Sequence, residues 1–170
     1  MIKHRLLIDF QSPGAEKWWE VINDEVMGGL SKGRLTITPN KTALFEGTVS
    51  LENNGGFASV RTSPADYFLD GFKGLTIRVK GDGRRYRLRL RTTKTAEGVA
   101  YQTTFATQPE IWISPFFPFS EFVPFFRGDA VPDAPVLNPA DIRQIGLMIA
   151  DRQPGPFRLE IEWIKAYLGY

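Results

Sequence analysis

The most distinctive chemistry in this chain is a run of cations on two strand-like segments. Arg78 and Lys80 alternate with Leu75, Ile77 and Val79, and Arg85, Arg87, Arg89 and Arg91 alternate with Tyr86, Leu88 and Leu90. A period of two sends successive side chains to opposite faces of a strand. Gly81-Asp82-Gly83 lies between the two segments and reads as a hairpin turn, which would put all six cations on one sheet face. A guanidinium donates in a planar fork, so this face either receives an anionic partner, a sugar or an acidic protein surface, or is a solvated surface neutralised by Glu46, Glu160 or Glu162. Tyr101 and Gln102, on the next strand-like segment, are candidates for the same face. Trp112 is a candidate stacking platform there.

A second group is apolar. Pro115 to Phe126 holds six phenylalanines in twelve residues: Phe116, Phe117, Phe119, Phe122, Phe125 and Phe126. This segment is either a docking surface, with Phe116, Phe117, Phe122, Phe125 and Phe126 as candidates, or a crossover folded back onto the core. Trp18-Trp19 is either a second stacking platform or a plug at the edge of the core.

Signatures of catalysis are missing. The chain has one histidine, His4, and no cysteine. That excludes thiol nucleophiles, cysteine-ligated metals and multi-histidine sites. No Gly-x4-Gly-Lys-Ser/Thr run cradles a phosphate, and Gly81-Asp-Gly83 lacks the third glycine of a dinucleotide fingerprint. A serine–histidine–aspartate triad would depend on His4, and the spacing of carboxylates in sequence does not reveal a glycosidase pair. No enzymatic activity is expected.

The elements that must position these groups are strands. The chain has 170 residues, 42% hydrophobic and 24% charged, with 16 Gly, 12 Pro and a net charge of +2. These values fit one globular domain spanning 1–170 and do not suggest a nucleic-acid partner. No apolar run approaches the length of a membrane span or a secretory leader, so a cytoplasmic protein without membrane insertion is expected. Alternation marks strands at 45–51, 75–79, 85–91, 99–105, 111–113 and 157–163. Ile145 to Ile149 is apolar on both faces, which predicts a central strand covered on both sides. Short helical turns are expected near 12–19, 64–69 and 138–143, the last capped by Asn138 with Pro139 at its first position. Many short strands with Gly/Pro turns and no βαβ rhythm predict an all-β sandwich or jelly roll.

Two glycine pairs stand apart from the strands. Asn23-Asp24-Glu25-Val26-Met27-Gly28-Gly29-Leu30-Ser31 and Asn54-Gly55-Gly56-Phe57-Ala58-Ser59-Val60-Arg61 are polar, then glycine-rich, then strand-like. They are either two loops of one site or two tight corners. Together with Phe45-x-Gly47, with Ile113-Ser-Pro-Phe-Phe117 and Phe122-Val-Pro-Phe-Phe-Arg-Gly128, and with Ile145-Gly-Leu-Met-Ile-Ala-Asp151 before Gly155-Pro-Phe-Arg-Leu-Glu-Ile-Glu-Trp-Ile164, they resemble the complex I intermediate-associated protein 30 (CIA30) family over nearly the whole chain. The resemblance implies a galactose-binding-like jelly roll, akin to carbohydrate-binding modules. It also implies a non-catalytic assembly or scaffold role in a respiratory or photosynthetic complex, with protein partners. The alternative is a carbohydrate-binding module that holds a glycan on its concave sheet face.

Position by position, the resemblance nominates Asn23, Asp24 and Ser31 from the first motif and Asn54, Ser59 and Arg61 from the second. Met27 also matches the first motif. Asp24 and Arg61 are expected either to pair, fixing the two loops, or to face a ligand. No cofactor is expected. Jelly rolls of this shape often hold a structural calcium ion, but no loop here has regular Asp/Asn spacing, so no metal is expected.

Overall fold

The computed structural model describes residues 3–23, 28–93, 99–126 and 128–169. Fourteen strands form among them: β1 (Lys3–Asp9), β2 (Trp19–Asn23), β3 (Lys32–Ile37), β4 (Ala43–Val49), β5 (Ala58–Thr62), β6 (Gly74–Lys80), β7 (Arg85–Thr92), β8 (Val99–Ala106), β9 (Trp112–Ile113), β10 (Phe116–Pro118), β11 (Val123–Phe126), β12 (Asp129–Ala130), β13 (Ile142–Ile149) and β14 (Gly155–Gly169). They pair antiparallel into two sheets. One runs β10-β6-β14-β4-β3, with β1 and β9 pairing alongside β14 and β6. The other runs β12-β11-β8-β7-β13-β5-β2. No helix among the described residues is long and apolar enough to cross a membrane.

Alternation explains the packing. The even-spaced apolar residues of each sheet point at the other and are fully buried: Phe45, Ile77 and Leu159 from the first, Leu88, Ile145 and Leu147 from the second. Each such side chain contributes about 1.5–3 kcal/mol by leaving water. Phe45 meets Phe157 edge-on at 4.9 Å between ring centroids. Tyr86 and Phe105 stack at 6.1 Å, and Phe105 continues to Phe117 at 5.5 Å.

Gly81-Asp82-Gly83 is not a hairpin turn. It carries the chain from β6 in one sheet to β7 in the other. Asp82 fixes this corner. Its Oδ1 accepts from the Arg84 backbone N–H at 3.1 Å and the Tyr86 hydroxyl at 3.0 Å, and its Oδ2 accepts from the Arg158 N–H at 2.8 Å. The Tyr86 hydroxyl is held protonated by burial and by the nearby Asp82 carboxylate, both of which push its pKa up. Asp82→Ala strips the corner of three charge-assisted bonds and leaves the Tyr86 hydroxyl only the longer bond to the Arg158 carbonyl, at 3.2 Å. We expect a loss of about 3 kcal/mol, read as a lowered urea midpoint. An unchanged midpoint would mean the corner is held by packing alone.

The helical turns divide. Ala15–Trp18 and Pro139–Asp141 are short 3-10 turns, and the Asn138 side chain caps the second by accepting from the Ala140 N–H. Residues 64–69 are irregular instead. Arg143 and Tyr67 tie that stretch down through the Ala65 N–H to Arg143 carbonyl bond and the Tyr67 hydroxyl to Thr62 bond, which replace helical bonds. The phenylalanine-rich segment crosses from one sheet to the other, as β10 at the edge of the first, a 3-10 turn at Phe119–Glu121, and β11 between β12 and β8 of the second. It both covers the core and faces outward. Phe117, Phe119 and Phe122 are buried, Phe125 is half-buried, and Phe116 and Phe126 are exposed.

Candidate functional site

A groove of about 970 Å³ runs across the outer face of the second sheet. Strand register builds it. One cross-strand row reads Val123, Gln102, Arg89, Gly146, Arg61, Glu20 across β11, β8, β7, β13, β5 and β2. The next row reads Thr104, Arg87, Met148, Ser59, Ile22. At roughly 4.8 Å per strand, the first row is about 24 Å long. Gly55, Gly56 and Phe57 from the loop before β5, and Phe126 and Gly128 from the end of β11, also line it.

Gly146 sits in the middle of the floor. A Cβ there would lie 3.0 Å from the Val60 carbonyl and 3.3 Å from the Arg61 Cβ. The bare backbone therefore leaves room between Arg61 and Arg89, which flank it in register. Met148 forms the rest of the floor and is 8% exposed. Here a sequence expectation needs correction. β13 is central, between β7 and β5, but within Ile145 to Ile149 the residues that join the packed core are Ile145, Leu147 and Ile149. Its other face is the groove floor, shaded by long neighbouring side chains and not by a second layer.

The electrostatics of the groove are one-sided. Among the described residues, five arginines line it (Arg61, Arg87, Arg89, Arg91 and Arg152) against one aspartate, Asp151. Asp151 binds Arg87 through both carboxylate oxygens, the Nε to Oδ2 contact being 3.3 Å and the Nη2 to Oδ1 contact closer. Arg61 donates to Glu20 at 2.8 Å on the rim. Arg89 donates its Nε to Gln102 Oε1 at 3.2 Å, a neutral acceptor. Desolvation, then repulsion from Arg91, Arg87 and Arg61, pushes the Arg89 pKa down to about 10. The groove thus concentrates positive potential at its centre.

The wall near Asp151 is strained. Asp151 and Arg152 are both left-handed, with φ of 63° and 54°. That conformation costs a residue other than glycine about 1–2 kcal/mol. Gln153 and Arg84 hold the turn in place. Gln153 donates to the carbonyls of Arg85 and Ala150, and Arg84 donates to those of Gln153 and Pro154. Asp151 is thereby aimed back at Arg87.

Sequence-nominated residues separate by location. Ser59, Arg61, Arg87, Arg89, Arg91, Gln102 and Phe126 meet in the groove. The six-cation face does not exist, because Arg78 and Lys80 lie on the opposite sheet. There Arg78 bonds Ser114 Oγ and stacks over Trp112, and Lys80 pairs with Glu110 and Glu160. Trp112 belongs to that sheet and is no platform for the groove. Tyr101 points into the core, 2% exposed, and its hydroxyl bonds the Pro135 carbonyl. Arg85 is exposed at the start of β7, beyond the groove lining.

Ser31 is buried and structural, bridging both the N–H and the carbonyl of Ser50. Asn23 is buried at the end of β2, with no partner for its Oδ1 among the described residues. Asp24 and Met27 lie outside the described residues, as does the Asn54 side chain. Within the described residues, the acidic partner of Arg61 is Glu20. Gln144, Gly146, Met148 and Asp151 were not foreseen as groove residues. The alternation of Gln144, Gly146 and Met148 along one strand face was the available signal.

Residues 8–161 match the family model described as complex I intermediate-associated protein 30 (CIA30). The chain belongs to the CIA30 family. An uncharacterized protein of Schizosaccharomyces pombe is 29% identical, covering 95% of this chain and 84% of that one. The mitochondrial complex I intermediate-associated protein 30 of Neurospora crassa is 25% identical, over 95% of this chain and 73% of its own length. The mouse protein of that name is 28% identical over 88% of this chain, which spans only 52% of the mouse sequence.

Among solved structures, the family 11 carbohydrate-binding module of a Clostridium thermocellum cellulase superposes with a TM-score of 0.75 at 16% identity, covering 100% of this chain and 96% of that one. The same type of module in complex with a β-1,3-1,4-mixed-linked tetrasaccharide gives 0.73 at 16% identity, over 98% and 96% of the two chains. The CIA30 chain is thus an all-β jelly roll of galactose-binding-like fold, as its sequence resemblance implied.

Proposed function

We propose that this CIA30-family chain is a non-catalytic binding domain that serves as an assembly or scaffold factor for a multi-subunit protein complex, of respiratory or photosynthetic type, and that its contact face is the arginine-lined groove. The observation that carries this reading is the groove itself. A pre-formed trough holds five arginines against one carboxylate among the described residues, in a family named for association with an assembly intermediate. Among the described residues Asp151 is the carboxylate that lines the trough, and it is engaged by Arg87, an arrangement unlike a glycosidase pair of carboxylates. The same proposal places the protein in the cytoplasm, without a cofactor.

A glycan is the second reading, favoured by the fold's likeness to a carbohydrate-binding module solved with a tetrasaccharide. Against it, none of the four tryptophans lines the groove. Sugar-ring stacking has only Phe57 and Phe126 to use.

Affinity capture from the native host with wild type and with Arg89→Glu tests the choice. Subunits or assembly factors of one membrane complex are expected with wild type and lost with the variant. Their equal recovery by Arg89→Glu would move the contact to the Phe116 and Trp112 side. Recovery of no specific protein, with saturable binding on a glycan panel, would replace the scaffold reading by the glycan one.

A further inference from the structure

We infer that the ligand of the groove is an extended, acidic polypeptide segment with apolar side chains between its carboxylates; this rests on reading the groove as the partner's contact face. Three features of the groove specify that chemistry.

The first is charge. Arg89 is the midpoint of the register row, bonded to a neutral amide and surrounded by Arg61, Arg87 and Arg91. Arg61 and Arg87 are paired with Glu20 and Asp151, whereas Arg89 itself meets the neutral Gln102 amide, so its charge is held there at an electrostatic cost. An anion seated over Gly146 removes it and meets two guanidinium groups from opposite sides. A neutral glycan offers no such compensation.

The second is shape. The row is about 24 Å long and open, which suits about seven residues of extended chain at roughly 3.3 Å each. A compact metabolite would engage only one part of it.

The third is the apolar share of the lining. Ile22, Leu51, Phe57, Met148 and Phe126 line the groove together with the arginines, and Met148 lies opposite Arg87 in register. Methionine on the floor adapts to varied aliphatic and aromatic side chains. An alternating acidic and apolar segment matches this pattern. A uniformly anionic polymer, such as a sulfated or uronic glycan, would leave the apolar lining exposed to water. Charge complementarity thus selects an anion, and the apolar lining selects a polypeptide among anions.

The test is a selection of random displayed peptides of about twelve residues, longer than the groove, on the immobilised full chain. Enriched peptides are expected to carry net negative charge with aliphatic or aromatic residues between the acidic ones. A synthetic copy of the best should bind Arg89→Gln at least about tenfold more weakly than wild type. It should also weaken in 0.5 M salt, where the Debye length is well below the ~10 Å of 0.1 M salt. Enrichment of neutral or basic peptides, equal affinity for the variant, or no enrichment would overturn the inference. Binding of a uronate oligosaccharide in place of every peptide would overturn it too, in favour of an anionic glycan. If host capture recovers complex subunits while selected peptides are neutral, this inference fails and the scaffold reading stands. If acidic peptides are selected while capture recovers no complex, the reverse holds.

Discussion

Gly47→Ala is expected to cost more than about 3 kcal/mol and to lower the melting temperature by roughly 6–12 °C. Gly47 on β4 pairs with Gly33 on β3. A Cβ built on Gly47 would lie 1.9 Å from the Lys32 carbonyl oxygen and 2.7 Å from the Gly33 Cα. Both obstacles are backbone, so no rotamer change relieves the contact. β3 is an edge strand, and it must shift away from β4 for the methyl to fit. The shift would loosen Leu35 and Ile37, which pack against the core. Gly33→Ala is the control. Its Cβ would meet the Ala58 Cβ and the Phe45 ring at 3.2 Å, both side-chain contacts with some freedom to move. Thermal unfolding of the two variants should rank Gly47→Ala well below Gly33→Ala. Equal melting temperatures would show that β3 accommodates the methyl, and that the close pairing of the two glycines is not what fixes this edge.

Arg89→Gln is expected to do the opposite: stabilise the fold while weakening binding at least about tenfold. In the folded protein the pKa of Arg89 is pushed down to about 10, well below the usual guanidinium range, first by desolvation and then by its three arginine neighbours. A base whose folded pKa lies below its unfolded value charges less readily in the native state. The penalty is therefore fully present below about pH 10 and is relieved as the pH climbs from there towards the unfolded value. Partial exposure discounts it to about 2 kcal/mol at neutral pH. Glutamine removes that penalty and forfeits the Gln102 bond, which contributes about 1 kcal/mol. The net gain is about 1 kcal/mol, a rise of roughly 2–4 °C in melting temperature at pH 7. A binding site that destabilises its own fold is the usual trade between stability and function. A lower melting temperature for Arg89→Gln would instead make Arg89 a structural residue.

Much of the strand content was legible because alternation is local. Ile77 and Val79, or Leu88 and Leu90, declare an inward face whatever the rest of the chain does. What alternation does not carry is the identity of the neighbouring sheet. Gly81-Asp82-Gly83 has the composition of a hairpin turn and also that of a corner between layers. The decision lies in the bond from the Arg158 N–H to Asp82, 76 residues away in sequence. The error moved Arg78, Lys80 and Trp112 to the wrong face. Likewise, Ile145 to Ile149 was apolar enough to imply two covering layers. The outer residues Gly146 and Met148 are instead shaded by arginines from β5 and β7, strands far from β13 in sequence. The groove was half visible: its arginines were plain in the sequence, and its floor was not. The phenylalanine-rich segment shows the same limit. Its 3-10 turn at Phe119–Glu121 breaks the alternation, so composition alone did not separate the buried Phe117, Phe119 and Phe122 from the exposed Phe116 and Phe126.

Met148 makes the central claim directly measurable. The chain has three methionines, and this one lies on the floor of the groove beside Arg87. With methyl-13C-labelled methionine, its resonance reports whether anything occupies that floor. Addition of the partner recovered by affinity capture should shift or broaden the Met148 signal in wild type, in step with saturation, and leave it in place in Arg89→Glu. A Met148 signal that stays put while the partner saturates the wild-type protein would contradict the account, because the partner would then be bound elsewhere on the surface.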